Sequence, residues 1–171
     1  MPVSRDFKRL RNVLEESLSE QHVSVIESLD EPKYDEDIAK ELDLKATVVR
    51  TILNELHSKR LVEYDRTKNK KTGWYTYLWK KRDDQLGEYT KGYLESRLAE
   101  LNGQLMKEKN NAYFCGPNGV VTFEEATENN FTCPETGQPY VEYDNSETID
   151  GIINEISRIN GLLHTHFSAK Q

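Results

Sequence analysis

The stretch from Tyr34 to Arg82 constrains the fold more than any other part of the chain. In residues 34–60, apolar residues recur at helical spacing on both sides of a short turn, Asp43-Leu44-Lys45. Residues 61–66 and 74–80 alternate like strands around the basic turn TKNKKTG. A lone two-stranded hairpin is marginally stable in water, so this hairpin must pack on the helices. The pattern predicts a winged helix-turn-helix domain.

Helical spacing also predicts the elements on either side of this stretch. Residues 4–29 form helix, with a second helix beginning near His22. In the helix-turn-helix, Asp35 is the expected N-cap of the first helix. The expected core face of the second helix is apolar throughout and consists of Val48, Val49, Ile52, Leu53 and Leu56.

Two apolar stripes in the second half of the chain match each other. Leu94, Leu98, Leu101 and Leu105 form one stripe, and isoleucines from Ile149 to Ile159 form the other. We expect these helices to pack together within one chain. The predicted fold class is α+β, with an extended winged helix over 1–82, a connecting helix over 83–110, a ribbon-like domain over 111–145, and a terminal helix and tail over 146–171.

Charge is distributed unevenly along the chain. The formal net charge is −7, yet the segment from Arg66 to Arg82 holds seven basic residues and no acidic one. A local contact with nucleic acid is therefore favoured although long-range attraction is not. No apolar run approaches the length of a membrane span, and the N-terminus lacks the apolar region of a secretory signal. We therefore expect a cytoplasmic protein without a membrane partner.

The basic hairpin contains the candidate binding residues. Alternation sends Tyr75, Tyr77 and Trp79 to one face of the second strand and Trp74 and Leu78 to the other. One face must cover the helices, and the other is too apolar for plain solvent surface. Aromatic rings among cations suit single-stranded bases or a protein surface, while a solvated charge run is the simpler alternative. The candidates share this surface: Arg66, Lys68, Lys70, Lys71, Trp74, Tyr75, Tyr77, Lys80, Lys81 and Arg82.

Other functions find less support. The second helix of the helix-turn-helix offers only Lys45 and Arg50 as outward cations, which is few for reading bases in the major groove. We find no phosphate loop, nucleophile–base pair or carboxylate dyad, so we expect no enzymatic activity. Asp35, Glu36 and Asp37 are interpreted as the first turn of a helix, where its dipole favours acids.

Residues 114–137 contain half of a zinc motif. The corners Cys115-Gly-Pro-Asn118-Gly and Cys133-Pro-Glu-Thr136-Gly would form a four-cysteine ribbon if Asn118 and Thr136 were cysteine. No histidine between residues 58 and 163 could replace the missing ligands. We therefore expect no zinc and no other cofactor.

The order of these motifs resembles the archaeal transcription factor E family, the counterpart of the α subunit of general factor IIE. The resemblance runs from about residue 5 to 163, and Thr72–Trp79 and Phe131–Asn145 are its most specific parts. It implies a ribbon on two Cys-x-x-Cys corners, so the ribbon fold is inherited and its metal site degraded. We expect two buried, reduced thiols, with a Cys115–Cys133 disulfide or residual zinc as alternatives.

The resemblance also implies a function. Members bind the clamp of RNA polymerase and favour promoter opening, with the TATA-binding protein and factor B at the promoter. The hairpin would lie near the melted strand, and a β-type subunit is a further partner to consider. Two alternatives stay open: a dimeric winged-helix repressor that binds duplex DNA, and a redox regulator acting through Cys115 and Cys133.

Overall fold

A computed structural model describes residues 3–68, 70 and 72–167 of the chain. The chain divides into two compact units, Met1–Tyr93 and Leu94–Gln171. The division falls within the predicted connecting helix. None of the helices in the described residues combines the length and the apolar character that a membrane crossing needs.

The first unit begins with helices that carry the core. The elements are α1 (Val3–Ser17), α2 (Glu20–Ser28), β1 (Lys33–Tyr34), α3 (Asp35–Glu41) and α4 (Ala46–Ser58). Asp35 was expected to cap α3, and this is wrong, because Tyr34 occupies the N-cap position and Asp35 is the first helical residue. Tyr34 is extended and pairs with Leu78 in the sheet, which moves the helix start one residue along.

The first unit also contains a three-stranded antiparallel sheet. Its strands β1, β2 (Val62–Lys68) and β3 (Tyr75–Lys81) lie in the order β1-β3-β2. The central strand β3 pairs along its length with β2, with Tyr64 opposite Trp79 and Arg66 opposite Tyr77. The two-residue strand β1 was not predicted, because so short a segment has no visible alternation.

The core of the first unit lies between the helices and the root of the hairpin. Val49, Ile52, Leu53 and Leu56 of α4 are buried as predicted, whereas Val48 is exposed. Successive helical residues are about 100° apart, so Val48 lies beside the narrow stripe that Val49 begins. Val62 and Trp79 join the same core from the sheet.

The second unit contains the last part of α5 (Asp83–Asn110), then β4 (Tyr113–Gly116), β5 (Gly119–Thr122), α6 (Phe123–Glu128), β6 (Val141–Tyr143) and α7 (Ser146–Phe167). The three strands form an antiparallel sheet in the order β5-β4-β6. The short helix α6 was not predicted. The Thr122 side chain accepts a hydrogen bond from the Glu125 amide and starts the helix directly after β5.

Polar contacts fix the direction of α7 against the part of α5 in the same unit. The Asn145 side chain donates hydrogen bonds to the backbone carbonyl of Glu108 at 3.1 Å and to its carboxylate at 2.7 Å. Farther along, a hydrogen bond from Arg158 lowers the pKa of Glu155, and the charge of Arg97 lowers it further. The hydrogen bonds of Asn145 and the charge effect on Glu155 are both consistent with antiparallel helices.

This register explains which members of the two apolar stripes are buried. Leu94 and Ile159 are fully buried and Leu101 is nearly so, while Leu98 and Leu105 are half-buried. The same register places Leu94 opposite Ile159, and Leu101 opposite the partly buried Ile152. Few residues therefore carry the hydrophobic stabilisation of this helix pair.

Replacing Ile159 with alanine should destabilise the second unit by about 2–5 kcal/mol, the usual cost of truncating a fully buried isoleucine. The matched control Ile153→Ala, at a position 38% exposed on the same helix, should cost about 1 kcal/mol or less. Both tryptophans, Trp74 and Trp79, lie in the first unit, so their fluorescence reports that unit alone. Ile159→Ala should lower the denaturation midpoint by circular dichroism and leave the fluorescence midpoint unchanged. Equal effects of the two substitutions would contradict the proposed register.

Candidate macromolecule-binding surface

Aromatic rings form a continuous series along one face of the hairpin. The Trp79 ring lies 4.9 Å from that of Tyr64, which lies 5.0 Å from that of Tyr77. Trp79 is buried, Tyr77 is 36% exposed and Tyr75 is 45% exposed. Exposure therefore rises along β3 from Trp79 to Tyr75. The same strand face packs on the core at Trp79, which we call the root of the hairpin, and is accessible at Tyr75.

The outer part of the hairpin combines exposed aromatic rings with cations. The Arg66 guanidinium carbon lies 3.6 Å from the centre of the Tyr75 ring, and Lys68 Nζ lies 5.7 Å from it. Trp74, just before β3, is 76% exposed. We call the described residues from Arg66 to Tyr75 the hairpin tip. Lys70 is exposed there too, and Lys71 lies outside the described residues.

The cations at the hairpin root are engaged within the protein. Lys80 Nζ lies 3.3 Å from the carboxylate of Glu63 and 3.5 Å from that of Asp65, and the hydrogen bond with Glu63 raises the pKa of Lys80. Arg82 pairs with Asp84 at 3.0 Å. Lys81 also has an interaction partner. Of the ten predicted binding residues, those at the tip are therefore grouped together, while the root cations are partly neutralised.

A cleft that sequence reasoning missed lies between the helices and the aromatic face. One compartment, of about 460 Å³, is lined by Tyr34, Asp35, Glu36, Asp37, Arg50, Tyr75, Thr76 and Tyr77. The adjoining compartment, of about 330 Å³, is lined by Asp35, Arg50, Asn54, Tyr64, Tyr77 and Trp79. The acidic run was interpreted only as a helix start, because helix periodicity does not show which strand lies opposite.

Arg50, the outward arginine of α4, is held by acids of this cleft. Its guanidinium forms an ion pair with Asp35 and lies 3.6 Å from the carboxylate of Glu36. The hydrogen bond with Asp35 raises the pKa of Arg50. A guanidinium engaged by carboxylates has fewer donors left for base edges, which weakens the case for major-groove readout by α4.

The ribbon contains two free thiols in different surroundings. Cys133 is buried, whereas Cys115 is exposed, so the expectation of two buried thiols is wrong for Cys115, and the two do not form a disulfide. In the sheet Cys115 lies opposite Val120 and Val141, which are exposed as well. This face of the sheet is covered by no part of the ribbon, and the thiol is therefore left in solvent.

Asn118 and Thr136, which stand where two cysteines would be expected, both contact Cys133. The Asn118 amide lies 3.7 Å from Cys133 Sγ and donates to the Glu135 carboxylate at 2.7 Å. A hydrogen bond from the Thr136 side chain lowers the pKa of the Cys133 thiol, helped by the backbone amides of Thr136 and Glu135. The buried sulfur is thus surrounded by hydrogen-bond donors.

These residues do not fit a zinc ion. Tetrahedral zinc with Zn–S bonds of about 2.3 Å places its sulfurs about 3.8 Å apart. Asn118 lies at a similar distance from Cys133 but brings an amide group instead of a thiolate. Within the described residues, no group of three or more His, Cys, Asp or Glu side chains could hold a metal ion.

Aromatic side chains also pack together in the ribbon. The Phe114, Phe123 and Phe131 rings lie within 5.2–6.2 Å of one another. Gly116 lies against Tyr140, whose ring would overlap any Cβ added at that position. Ring contacts and hydrogen bonds to sulfur thus hold this part of the chain together.

An accessible aromatic series next to cations is typical of proteins that bind other macromolecules. Comparison with known families makes this class specific: residues 8–110, more than half of the chain, match the family model of the TFIIE alpha subunit. The chain belongs to the TFIIE alpha subunit family, a family of transcription factors that act with RNA polymerase and DNA. This confirms the resemblance seen in the sequence and the predicted role in transcription initiation.

Similar proteins come from several archaea. Transcription factor E of Methanocaldococcus jannaschii is 41% identical over 124 residues, which cover 71% of this chain and 72% of that one. Transcription factor E of Methanobrevibacter smithii is 35% identical over 153 residues, covering 88% and 87%. Among solved structures, a possible transcriptional regulator from Methanosarcina mazei is similar with a TM-score of 0.49 and 23% identity, covering 58% of this chain and 87% of that one.

Proposed function

We propose that this chain is a basal initiation factor that binds the clamp of RNA polymerase and stabilises the open promoter. The observation that carries the proposal is the hairpin tip, where Lys68, Lys70 and Trp74 are all exposed. Aromatic faces and amines together suit unpaired bases and their phosphates. The tip would therefore lie against melted promoter DNA, with the TATA-binding protein and factor B in the same assembly.

The architecture supports a winged-helix assignment for the first unit. Helices α2, α3 and α4 pack around one core and lead into a hairpin whose central strand also pairs with β1. In this assignment α4 is the second helix of the helix-turn-helix and β2–β3 is the wing. The second unit would be a degenerate zinc ribbon. The factor would act in the cytoplasm without catalysing a reaction, and a β-type subunit is compatible with this role.

The proposed mechanism is a shift of population between closed and open promoter complexes. A factor moves this equilibrium only by the difference between its affinities for the two states. A preference of about 1.4 kcal/mol for the open complex shifts the equilibrium about tenfold. Contacts made only by unpaired strands, such as stacking on exposed rings, supply such a difference because duplex DNA keeps its bases stacked.

Reversing the tip charges should weaken binding to melted promoter DNA. Lys68→Glu/Lys70→Glu removes two cations that can contact phosphates. The slope of the logarithm of the binding constant against the logarithm of the salt concentration should therefore become shallower by about 1.4. Anisotropy of a labelled bubble template in the polymerase complex, measured over a salt series, checks this. The control Lys107→Glu/Lys109→Glu changes exposed lysines of α5 by the same charge. Equal losses in both variants would show a general charge effect and contradict a contact at the tip.

Truncating the tip aromatics should reduce opening more than closed-complex binding. Trp74→Ala or Tyr75→Ala removes a stacking face worth about 1–3 kcal/mol per base. Permanganate reactivity of melted thymines on a weak promoter should fall, while binding to closed duplex promoter complexes stays near that of the parent. A repressor that reads duplex DNA predicts the reverse, with Thr47→Ala and Arg50→Ala causing the larger losses. That order of effects would overturn the proposed function.

We further propose that the ribbon folds without zinc. Protein purified without chelator should contain far less than one zinc per chain, because two of four thiolates are missing. The variant Asn118→Cys/Thr136→Cys restores both Cys-x-x-Cys corners and should bind about one zinc per chain with a raised unfolding midpoint. The control Asn118→Ser/Thr136→Ser should gain neither. A stoichiometric zinc in the parent, retained through gel filtration, would refute the proposal.

A further inference from the structure

The cleft beside the aromatic face is chemically unlike the hairpin tip. Its two compartments share Asp35, Arg50 and Tyr77, so they form one continuous groove within the first unit. Glu36 and Asp37 line one end of it and Asp35 lines both compartments, and among the described residues Arg50 is the one lining cation. Phosphate groups would be repelled from this end, whereas a cationic side chain would be attracted.

The opposite wall of the cleft is aromatic and accessible. Tyr34 is 44% exposed, and Tyr75 and Tyr77 are exposed as well. Cations are attracted to the faces of such rings, and more strongly where the contact is shielded from water. Arg66 shows this directly, because its guanidinium already stacks over the Tyr75 ring at 3.6 Å.

Arg50 shows what kind of group the acidic end accepts. Its guanidinium lies at the boundary of both compartments and is held by Asp35 and Glu36. The side chains of Glu36 and Asp37 are 68% and 57% exposed, so both carboxylates are open to solvent, although Lys40 Nζ lies 3.7 Å from that of Asp37. A guanidinium from another chain can therefore reach Glu36 and Asp37 while Arg50 stays on Asp35.

We propose that this cleft binds a basic segment of a partner protein. An arginine or lysine of that segment lies between the carboxylates of Glu36 and Asp37 and the ring face of Tyr77, and its apolar neighbours cover Tyr34. The occupant is a protein and not a nucleic acid, because the cleft carries a net negative charge. In the initiation complex this would be the contact with the polymerase or a protein bound to it, so the inference rests on the proposed function.

A consequence is that one hairpin serves two partners. The tip, with Arg66, Lys68 and Lys70, carries positive charge and would face DNA. The cleft, with its carboxylates, would hold the protein partner. Substitutions of Glu36 and Asp37 should therefore weaken the protein contact and spare the DNA contact, and substitutions of Lys68, Lys70 and Trp74 should do the reverse.

The test uses the full chain, labelled with nitrogen-15, and two matched probe peptides. One is acetyl-Gly-Leu-Arg-Leu-Arg-Gly-amide, and the other has citrulline, which keeps the shape without the charge, in place of both arginines. Amide shifts should change around Asp35–Asp37, Arg50 and Tyr77 with the arginine peptide. The citrulline peptide should bind about fivefold more weakly, as expected from loss of one cation–π and ion-pair contact.

Protein variants complete the test. Glu36→Gln/Asp37→Asn should weaken the arginine peptide about fivefold as well, and the control Asp43→Asn/Glu88→Gln, with the same change of charge on exposed residues of the same unit, should not. Equal binding of the two peptides, equal effects of the two variants, or no localised shift would overturn the proposal. Shifts of the cleft residues by single-stranded oligothymidine, in place of shifts at the tip, would also overturn it.

A second measurement separates this inference from the proposed function. In co-purification with the cognate RNA polymerase, Glu36→Gln/Asp37→Asn should lower retention while its affinity for oligothymidine stays that of the parent. If the parent itself fails to bind polymerase, the proposed function is wrong, and the peptide titration still decides whether the cleft takes basic segments. If polymerase binds the parent and the cleft variant equally, the cleft assignment alone is wrong.

Discussion

The burial of Trp79 is the interaction on which the first unit depends. Trp79 lies on the central strand of the sheet, opposite both Lys33 of β1 and Tyr64 of β2. Its ring also contacts that of His57 on α4, with centroids 6.1 Å apart. One side chain thus joins the hairpin to the helices, and removing it would cost about 3–5 kcal/mol, a large share of the stability of a small domain. Because the root is held, the outer hairpin can remain exposed and still keep its position.

The binding surface follows from this anchoring. A strand leaving the core presents every second side chain on the same face, so the aromatic residues grade from buried to accessible along β3. The same strand pairs with β1, which holds Tyr34 and the start of α3 beside it. The acidic first turn of α3 therefore faces the aromatic wall, while the lysines of the tip extend beyond it. Two surfaces of opposite charge therefore lie next to each other, the carboxylates on α3 and the lysines on the hairpin.

The stability of the ribbon has another source. A small domain with few buried apolar residues usually needs a metal or a disulfide. Here the buried Cys133 sulfur accepts hydrogen bonds, and the rings of Phe114, Phe123 and Phe131 pack against one another. Tyr140 covers Gly116, and burial raises the pKa of the tyrosine. Because the pKa of Cys133 is lower in the folded protein than in the unfolded chain, its ionisation stabilises the fold. This contribution grows as the pH rises from the folded-state pKa to the unfolded-state pKa, and it is absent at lower pH.

The sequence by itself determined the helices with clear apolar stripes and the two hairpin strands, because each of these depends on spacing within a short segment. It also indicated the family, through the order of motifs from about residue 5 to 163. The tertiary structure decided which charges are available. Lys80 is paired by acids of the neighbouring strand, Arg50 by acids from the preceding helix, and Cys115 is exposed because no part of the ribbon covers its face of the sheet. These outcomes depend on residues that are distant in sequence and only a few ångströms apart in space. Coulomb interactions and burial depend on distance in space, which the periodicity of a short segment does not show.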